Sequence, residues 1–181
     1  MRGGVEPYDA VILAGGAARR FGGDKPGALV GGVPMVARVA AAVADAARTV
    51  VVGPGRPGLD AVFVREDPPG GGPVPALRAG LALVAAPRLV LLAADLPLLT
   101  PRIVAALLAH PNAVLVDGGG ADQWLTGAWR TDALRAALEG YPGRSLRGLL
   151  GPLDPVRVPA GDDWTDCDTP EDLARAEEML K

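Results

Sequence analysis

Apolar and polar positions along the chain alternate between patterns typical of buried strands and patterns typical of helices. Short apolar runs predict strands at residues 10–14, 49–52, 61–64, 88–94 and 113–116. Longer segments with helical patterning lie at residues 34–47, 74–85, 101–109, 131–139, 145–150 and 170–180. A segment of mixed alternation, residues 123–129, fits a further strand. This succession predicts an α/β fold with a doubly wound, mostly parallel sheet.

Two of the predicted helices have clear start signals, and one predicted strand stands out. Thr100 precedes Pro101 and Thr169 precedes Pro170, as is typical of an N-cap followed by the first helical residue. Segment 88–94 is the most apolar of the strands, which predicts a central place in the sheet. Open α/β sheets bind ligands at the carboxyl ends of their strands, so the loops after the strands are the candidate sites.

Composition is that of an ordinary globular protein. The 181 residues fit one domain, residues 1–181, with 49% hydrophobic and 22% charged residues. A net charge of −3 without a basic stripe argues against a nucleic-acid partner. Residues 1–8 have no apolar segment, and the longest apolar run, 89–94, is too short to cross a bilayer. We therefore expect a cytoplasmic protein without membrane association, and the single Cys167 cannot form an internal disulfide.

The segment after the first strand is rich in glycine and positive charge. Residues 13–25 are Leu-Ala-Gly-Gly-Ala-Ala-Arg-Arg-Phe-Gly-Gly-Asp-Lys. Glycine lets backbone N–H groups approach a ligand closely because no Cβ intervenes, while Arg20 and Lys25 bring positive charge to the same place. No lysine–serine or lysine–threonine pair follows, so this is not a Walker A loop. The segment predicts phosphate binding and a nucleotide enzyme, in preference to a solvated glycine-rich turn.

Carboxylates follow two of the predicted strands and precede the last helix. Asp95 comes directly after segment 88–94, where a carboxylate is costly to place unless it binds a metal, a cation or N–H groups. Since Mg²⁺ prefers carboxylate and phosphate oxygens, we expect Asp95 to bind Mg²⁺, with an Asx turn or backbone cap as the alternative. Asp168, or its competitor Asp166, is the candidate for a second metal ligand. Asp67 suits a turn as well as it suits ligand contact.

Residues 53–58, Gly-Pro-Gly-Arg-Pro-Gly, match the dinucleotide-binding fingerprint letter for letter. A functional fingerprint opens a helix whose N-terminus holds the pyrophosphate. Here Pro54 and Pro57 remove two N–H donors, and no helical pattern follows. We therefore expect an ordinary loop. Two other glycine-rich segments, 70–72 and 118–120, should lie at the same edge of the sheet as the loop after the first strand.

Together these motifs resemble the molybdenum cofactor guanylyltransferases. The pattern Leu-Ala-Gly-Gly-x-x-x-Arg-x-Gly-x-Asp-Lys at 13–25 is similar to the signature of that family. The similarity runs over nearly the whole chain and includes residues 32–34, 64–67, 72–73, 95–97 and 168–173. It implies a Rossmann-like nucleotidyltransferase fold and an Mg²⁺-dependent reaction. In that reaction GTP and molybdopterin, usually carrying molybdenum, give the guanine dinucleotide cofactor and pyrophosphate.

The resemblance also implies roles for individual residues. The implied nucleotide-binding set is Leu13, Ala14, Gly15, Gly16, Lys25, Asp67 and Asp95. Within it, residues 13–16 would hold the base and sugar. The implied catalytic set is Arg20, Lys25 and Asp95, and the implied metal ligands are Asp95 and Asp168. Transient contact with molybdoenzyme maturation proteins is a further expectation.

Three positions depart from the family pattern. Gly53 stands where members often have Asn, residues 75–76 are Pro-Ala where Ala-Gly is common, and Asp168 stands where guanylyl members often have Asn. Aspartate at the last position is more usual in cytidylyl relatives. A cytidylyltransferase or a sugar-phosphate nucleotidylyltransferase on the same fold is therefore the nearest alternative. A non-catalytic nucleotide-binding protein of molybdoenzyme maturation is the alternative from another class.

Overall fold

The computed structural model describes residues 6–15, 24–161, 164 and 168–181. The strands are β1 (Tyr8–Leu13), β2 (Leu29–Val30), β3 (Val33–Pro34), β4 (Arg48–Val52), β5 (Val62–Val64), β6 (Arg88–Ala93), β7 (Ala113–Val116), β8 (Asp122–Arg130) and β9 (Val156–Pro159). The α-helices are α1 (Met35–Ala42), α2 (Pro73–Leu81), α3 (Pro101–Leu108), α4 (Thr131–Leu138), α5 (Leu146–Leu150) and α6 (Pro170–Met179). None of these helices combines the length and the hydropathy of a membrane span.

Seven strands form one sheet in the order β5-β4-β1-β6-β8-β7-β9. Strands β5, β4, β1 and β6 pair in parallel, and so do β7 and β9. Strand β8 is antiparallel to both of its neighbours, β6 and β7. The predicted mostly parallel α/β sheet is confirmed. Strand β6 lies in the middle with every residue buried, as its apolar sequence predicted.

Helices cover both faces of this sheet. Alternate residues of β1 point to opposite faces because the side chains of a strand have a period of two. Ile12 packs in one core cluster with Val36 of α1 and Leu107 of α3. Val11 packs in the other cluster with residues of α2, α4 and α5, among them Leu77. The sheet is therefore doubly wound, as predicted.

The region around the start of α1 differs from its predicted structure. The predicted helix 34–47 is shorter, since α1 ends at Ala42 and Pro34 belongs to β3. Before it, Gly31 and Gly32 have φ values of +57° and +78°, which glycine adopts without strain, and they turn β2 back onto β3. Val30 of this hairpin packs with Ala176 of α6. Strands of two residues are too short to show alternation, so only packing against α6 identifies the hairpin.

The carboxyl ends of β1, β4, β5, β6 and β7 lie at one edge of the sheet. Strand β7 shares the direction of β6 because both are antiparallel to β8. The described residues that leave this edge include residues 14–15 after β1, the turn that contains Lys25, the 53–58 segment and both of the other glycine-rich segments. The expectation that these glycine-rich loops share one edge is confirmed. Strand β9, which the sequence patterns missed, lies at the outer end of the sheet with Val156 and Arg157 exposed.

Gly80 sets how closely α2 approaches the sheet. A Cβ atom at Gly80 would lie 2.6 Å from Val11 Cγ1 and 3.0 Å from Val52 Cγ2, and β-branched side chains have little freedom to move aside. Alanine favours a helix over glycine by about 1 kcal/mol, but overpacking costs about 1–3 kcal/mol. We expect Gly80→Ala to lower the free energy of unfolding by about 1–2 kcal/mol in urea titrations. Gly118→Ala is the control, because no described atom lies within 4 Å of a Cβ there; equal stability of the two variants would contradict the packing argument.

The start of α6 depends on a capping box. The Thr169 hydroxyl accepts from the backbone N–H of Asp172, and the Asp172 carboxylate accepts from the backbone N–H of Thr169. We expect Asp172→Ala to destabilise the protein by about 0.5–2 kcal/mol at neutral pH. Glu178→Ala, at the other end of α6, is the control and should change stability little.

The same substitution should have a pH-dependent effect. The hydrogen bond with Thr169, opposed in part by burial, holds the pKa of Asp172 below its ordinary value. A carboxylate with a lowered pKa contributes stability above its unfolded pKa, near 4, and loses that contribution as pH falls through the folded pKa. The stability difference between Asp172→Ala and wild type should therefore shrink below pH 4. A difference that stays constant from pH 7 to pH 3 would contradict this assignment.

Candidate active site

The ammonium group of Lys25 joins three segments at the carboxyl edge of the sheet. Its Nζ lies 2.6 Å from Asp95 Oδ2, in the loop after β6, and 2.7 Å from Asp168 Oδ1, just before α6. The lysine side chain is 17% exposed, so most of it is shielded from solvent. Asp95 was expected to need a metal, another cation or N–H groups as a partner, and in the structure it contacts the Lys25 ammonium. Lys25, Asp95 and Asp168, which were three separate candidates in the sequence, form one cluster, called here the lysine cluster.

The lysine cluster keeps its central amine charged. Burial by itself would lower the pKa of Lys25, but the hydrogen bonds and charges of Asp168 and Asp95 outweigh burial and hold the pKa above its ordinary value. The Lys25 ammonium therefore bears its positive charge at neutral pH. One positive charge facing two negative charges leaves the cluster with an excess of negative charge.

The backbone around Lys25 is fastened to the start of α1. The Ala28 N–H donates to the Lys25 carbonyl at 3.1 Å, and the Val36 N–H donates to the Pro26 carbonyl at 3.0 Å. The Met35 N–H donates to the Ala28 carbonyl at 2.9 Å. These bonds hold the turn that contains Lys25 against a helix of the core.

A second ion pair lies one residue before Lys25. Arg56 Nη2 donates to Asp24 Oδ1 at 2.5 Å and Arg56 Nη1 donates to Asp24 Oδ2 at 2.8 Å. The Arg56 guanidinium holds the pKa of Asp24 below its usual range, against the opposing effect of burial. Arg56 belongs to segment 53–58, which is a loop and not a helix start, so the rejection of the dinucleotide fingerprint is confirmed. Sequence reasoning missed the contact of Arg56 with Asp24, for which no local pattern exists.

The turn after β1 is built around backbone bonds. The Ala14 N–H donates to the Val52 carbonyl and the Ala94 N–H donates to the Leu13 carbonyl. The side chains of Leu13 and Ala14 are buried in the core, whereas Gly15 is exposed. The first two residues of the predicted nucleotide-binding set therefore shape this turn, and Gly15 faces outward from it.

Gly53 allows the loop after β4 to lie directly against that turn. A Cβ atom at Gly53 would lie 3.1 Å from the Ala14 carbonyl carbon and 3.2 Å from its oxygen. Any side chain there would force these two backbone segments apart. Gly53, which stands where family members often have asparagine, thus lets the two backbone segments lie in close contact.

Glu66 is the acidic residue of the β5 loop that reaches this turn. A Cβ atom at Gly15 would lie 3.5 Å from both Glu66 carboxylate oxygens, and the Gly70 N–H donates to Glu66 Oε1 at 3.1 Å. Asp67, the predicted nucleotide contact, is exposed in the bend that follows. Sequence reasoning singled out Asp67 and missed Glu66, although both follow the same strand.

The loop at 118–120 has a local explanation. The Asp117 carboxylate accepts from the backbone N–H groups of Gly119 and Ala121 at 2.9 Å and from Gln123 Nε2 at 2.7 Å. These bonds close the connection between β7 and β8. The glycines at 118–120 therefore belong to a turn that connects the two strands.

Three of the candidate site residues, Gly16, Arg20 and Asp166, lie outside the described residues, as does Cys167. Within residues 6–15, 24–161, 164 and 168–181, no group of three or more His, Cys, Asp or Glu side chains is arranged to hold a metal. The acidic pair of the lysine cluster is what the described residues offer to a divalent cation.

Comparisons with known proteins point to one family. A family model for the MobA-like NTP transferase domain matches residues 10–156. The molybdenum cofactor guanylyltransferase of Rhodobacter capsulatus is 36% identical over 191 aligned residues, which cover 94% of this chain and 95% of the relative.

Two solved structures share the fold. Molybdopterin-guanine dinucleotide biosynthesis protein A from Archaeoglobus fulgidus matches with a TM-score of 0.70 and 23% identity, covering 95% of this chain and 98% of that one. The 2-C-methyl-D-erythritol 4-phosphate cytidylyltransferase from Thermus thermophilus also has a TM-score of 0.70, with 21% identity and coverage of 94% and 97%. The fold is thus common to guanylyl and cytidylyl enzymes. Because the family model and the Rhodobacter relative both extend over most of its length, the chain is a nucleotidyltransferase of the molybdenum cofactor guanylyltransferase family.

Proposed function

We propose that this protein transfers GMP from GTP to molybdopterin, with Mg²⁺ bound, and releases pyrophosphate. The observation that carries the proposal is the convergence of Lys25, Asp95 and Asp168 at the carboxyl edge of the sheet, within 2.7 Å of one point of charge. Membership of the family establishes nucleotidyl transfer as the general reaction. The proposal adds the nucleotide, the metal and the acceptor, for which the names of the relatives are the support.

The reaction requires charge placement and no side-chain nucleophile. A phosphate oxygen of the acceptor attacks the α-phosphorus of GTP, and a new phosphorus–oxygen bond forms. The bond between the α-phosphorus and the bridging oxygen breaks in line, and its electron pair leaves with pyrophosphate. Catalysis then consists of positioning and of neutralising negative charge. The Lys25 ammonium offers three N–H donors to the phosphate oxygens.

The acidic pair fits a hard divalent cation. Asp95 and Asp168 direct carboxylate oxygens at the same cationic centre, and carboxylate oxygens are preferred Mg²⁺ ligands. Asp95 and Asp168 would hold the ion, and Mg²⁺ would supply charge neutralisation at the phosphate oxygens. Lys25 neutralises the same carboxylates in the described structure, so its ammonium would turn towards the triphosphate when both are bound.

Asp168 also supports the nearest alternative, a cytidylyltransferase. Aspartate at this position is more usual in the cytidylyl branch, and here its carboxylate contacts Lys25 directly. The shared fold is equally compatible with either base. The choice between GTP and CTP therefore depends on the loops, and GTP is favoured because the relatives matched along the whole chain are guanylyltransferases.

Removal of the charged groups tests the transfer step. We expect Asp95→Ala and Lys25→Ala each to lower kcat for pyrophosphate release by at least about 10²–10³-fold, the usual effect of losing one charge-stabilising group. The assay supplies GTP, Mg²⁺ and molybdopterin. Melting temperatures should stay within about 3 °C of wild type. Asp132→Ala and Lys181→Ala are matched controls at exposed positions and should keep full turnover; full activity of either site variant would contradict the assignment.

Thermal shifts with the four nucleoside triphosphates test the base. A ligand at 100 times its Kd stabilises the folded state by about 2.7 kcal/mol, and this corresponds to a shift of several degrees for a domain of this size. We expect GTP with Mg²⁺ to raise the melting temperature, and chelation of Mg²⁺ to reduce the shift. A shift with CTP alone would support the cytidylyl alternative. Pyrophosphate release with a suitable acceptor distinguishes the enzyme from a nucleotide-binding maturation protein.

A further inference from the structure

We propose that Arg56 is a positioning residue, which holds the Lys25 ammonium in place through its ion pair with Asp24. The role of Lys25 in catalysis rests on the function proposed above, whereas the positioning itself is a property of the folded chain. Arg56 lies in the loop after β4 and Asp24 in the loop after β1, two adjacent strands of the sheet. The pair therefore ties the segment that carries Lys25 to a neighbouring strand.

The geometry of the pair restricts both position and angle. Two parallel bonds, of 2.5 and 2.8 Å, join the guanidinium fork to the two carboxylate oxygens, and such bidentate pairs add geometric specificity to charge attraction. The Arg56 side chain is 19% exposed although its partner is 61% exposed. The arginine side chain is thus largely covered by its surroundings, whereas Asp24 is mostly exposed.

Gly27 adapts the local chain to this pair. A Cβ atom at Gly27 would lie 2.1 Å from Asp24 Oδ2 and 2.8 Å from Arg56 Nη1. Any other residue there would overlap the pair. The turn is therefore fastened on two sides, by Arg56 at Asp24 and by the start of α1 at Pro26.

Lys25 lies between these two fixed points. Its side chain is a flexible four-carbon stem with a point charge, so its backbone must be held if the ammonium is to meet Asp95 and Asp168 at 2.6 and 2.7 Å. A misplacement of about 1 Å at a reacting centre can cost about 10²-fold in rate. Loss of the Arg56–Asp24 pair would free one side of the turn while leaving both Lys25 and its carboxylate partners intact.

The composition of the chain permits a test that does not depend on activity. The sequence contains two lysines, Lys25 and Lys181, and the Lys181 side chain is 71% exposed. In protein labelled with ¹⁵N-lysine, the Lys25 ammonium protons should be observable at low temperature because two carboxylates slow their exchange with water. Lys181→Arg assigns the remaining signal to Lys25. We expect Arg56→Gln and Asp24→Asn each to broaden or abolish the Lys25 signal.

Controls separate positioning from general loss of structure. Arg130→Gln removes an exposed arginine that pairs with Asp132 two residues away, and it should leave the Lys25 signal unchanged. Backbone amide spectra monitor the fold of every variant. If Arg56→Gln does not fold, Asp24→Asn, which changes an exposed partner, still decides the outcome. An unchanged Lys25 signal in a folded variant that lacks the pair overturns the proposal.

Kinetics then test the consequence for transfer. We expect Arg56→Gln to lower kcat by about 10–100-fold, and Arg56→Lys to restore part of the loss. The double variant Arg56→Gln/Asp24→Asn should be no slower than the slower single variant, because both substitutions break one interaction. A loss of kcat without any change in the Lys25 signal would overturn the positioning role. If wild type transfers no nucleotide, the proposed function fails, while the NMR comparison still decides whether Arg56 positions Lys25.

Discussion

The charge balance at Lys25 is the constraint on which the site depends. One partly buried ammonium meets two carboxylates, and one of them lies 143 residues further along the chain. The three side chains remain 17–54% exposed, so removing one of them costs little folding stability but removes a contact between the segments that carry the site. The loops after β1 and β6 and the start of α6 must therefore adopt mutually consistent positions. The presence of two carboxylates around one ammonium is the feature on which the proposed Mg²⁺ site rests.

The parallel sheet provides the frame for this balance. Strand β1 lies between β4 and β6, so the loops with Lys25, Arg56 and Asp95 leave the same edge side by side. Helix α6 brings the remaining carboxylate from the end of the chain. Its capping residue Asp172 also accepts from the Asp168 backbone N–H at 3.1 Å, so the carboxylate that caps the helix also holds the backbone of Asp168. Asp172 therefore connects the stability of the start of α6 with the position of Asp168.

Proteins whose names imply different substrates share this fold. A molybdopterin-guanine dinucleotide biosynthesis protein and a cytidylyltransferase share this fold with equal TM-scores, so the fold by itself does not decide the substrate. We therefore expect the loops at the carboxyl edge of the sheet to select the base and the acceptor. Gly53 against Ala14 and Glu66 beside Gly15 are the features of this chain that shape the turn after β1.

Local pattern predicted much of the molecule. The apolar period identified β1, β4, β6 and most helices, and the place of Asp95 directly after a buried strand marked it as part of the site. The same reasoning missed β2, β3 and β9, and it did not connect Asp168 with Lys25 or Arg56 with Asp24. By itself the sequence determined most of the elements and the types of group available for chemistry, because periodicity and turn residues act over a few positions. Only the tertiary structure decided which groups meet, because the order of strands and the packing of helices bring together side chains that no local pattern relates.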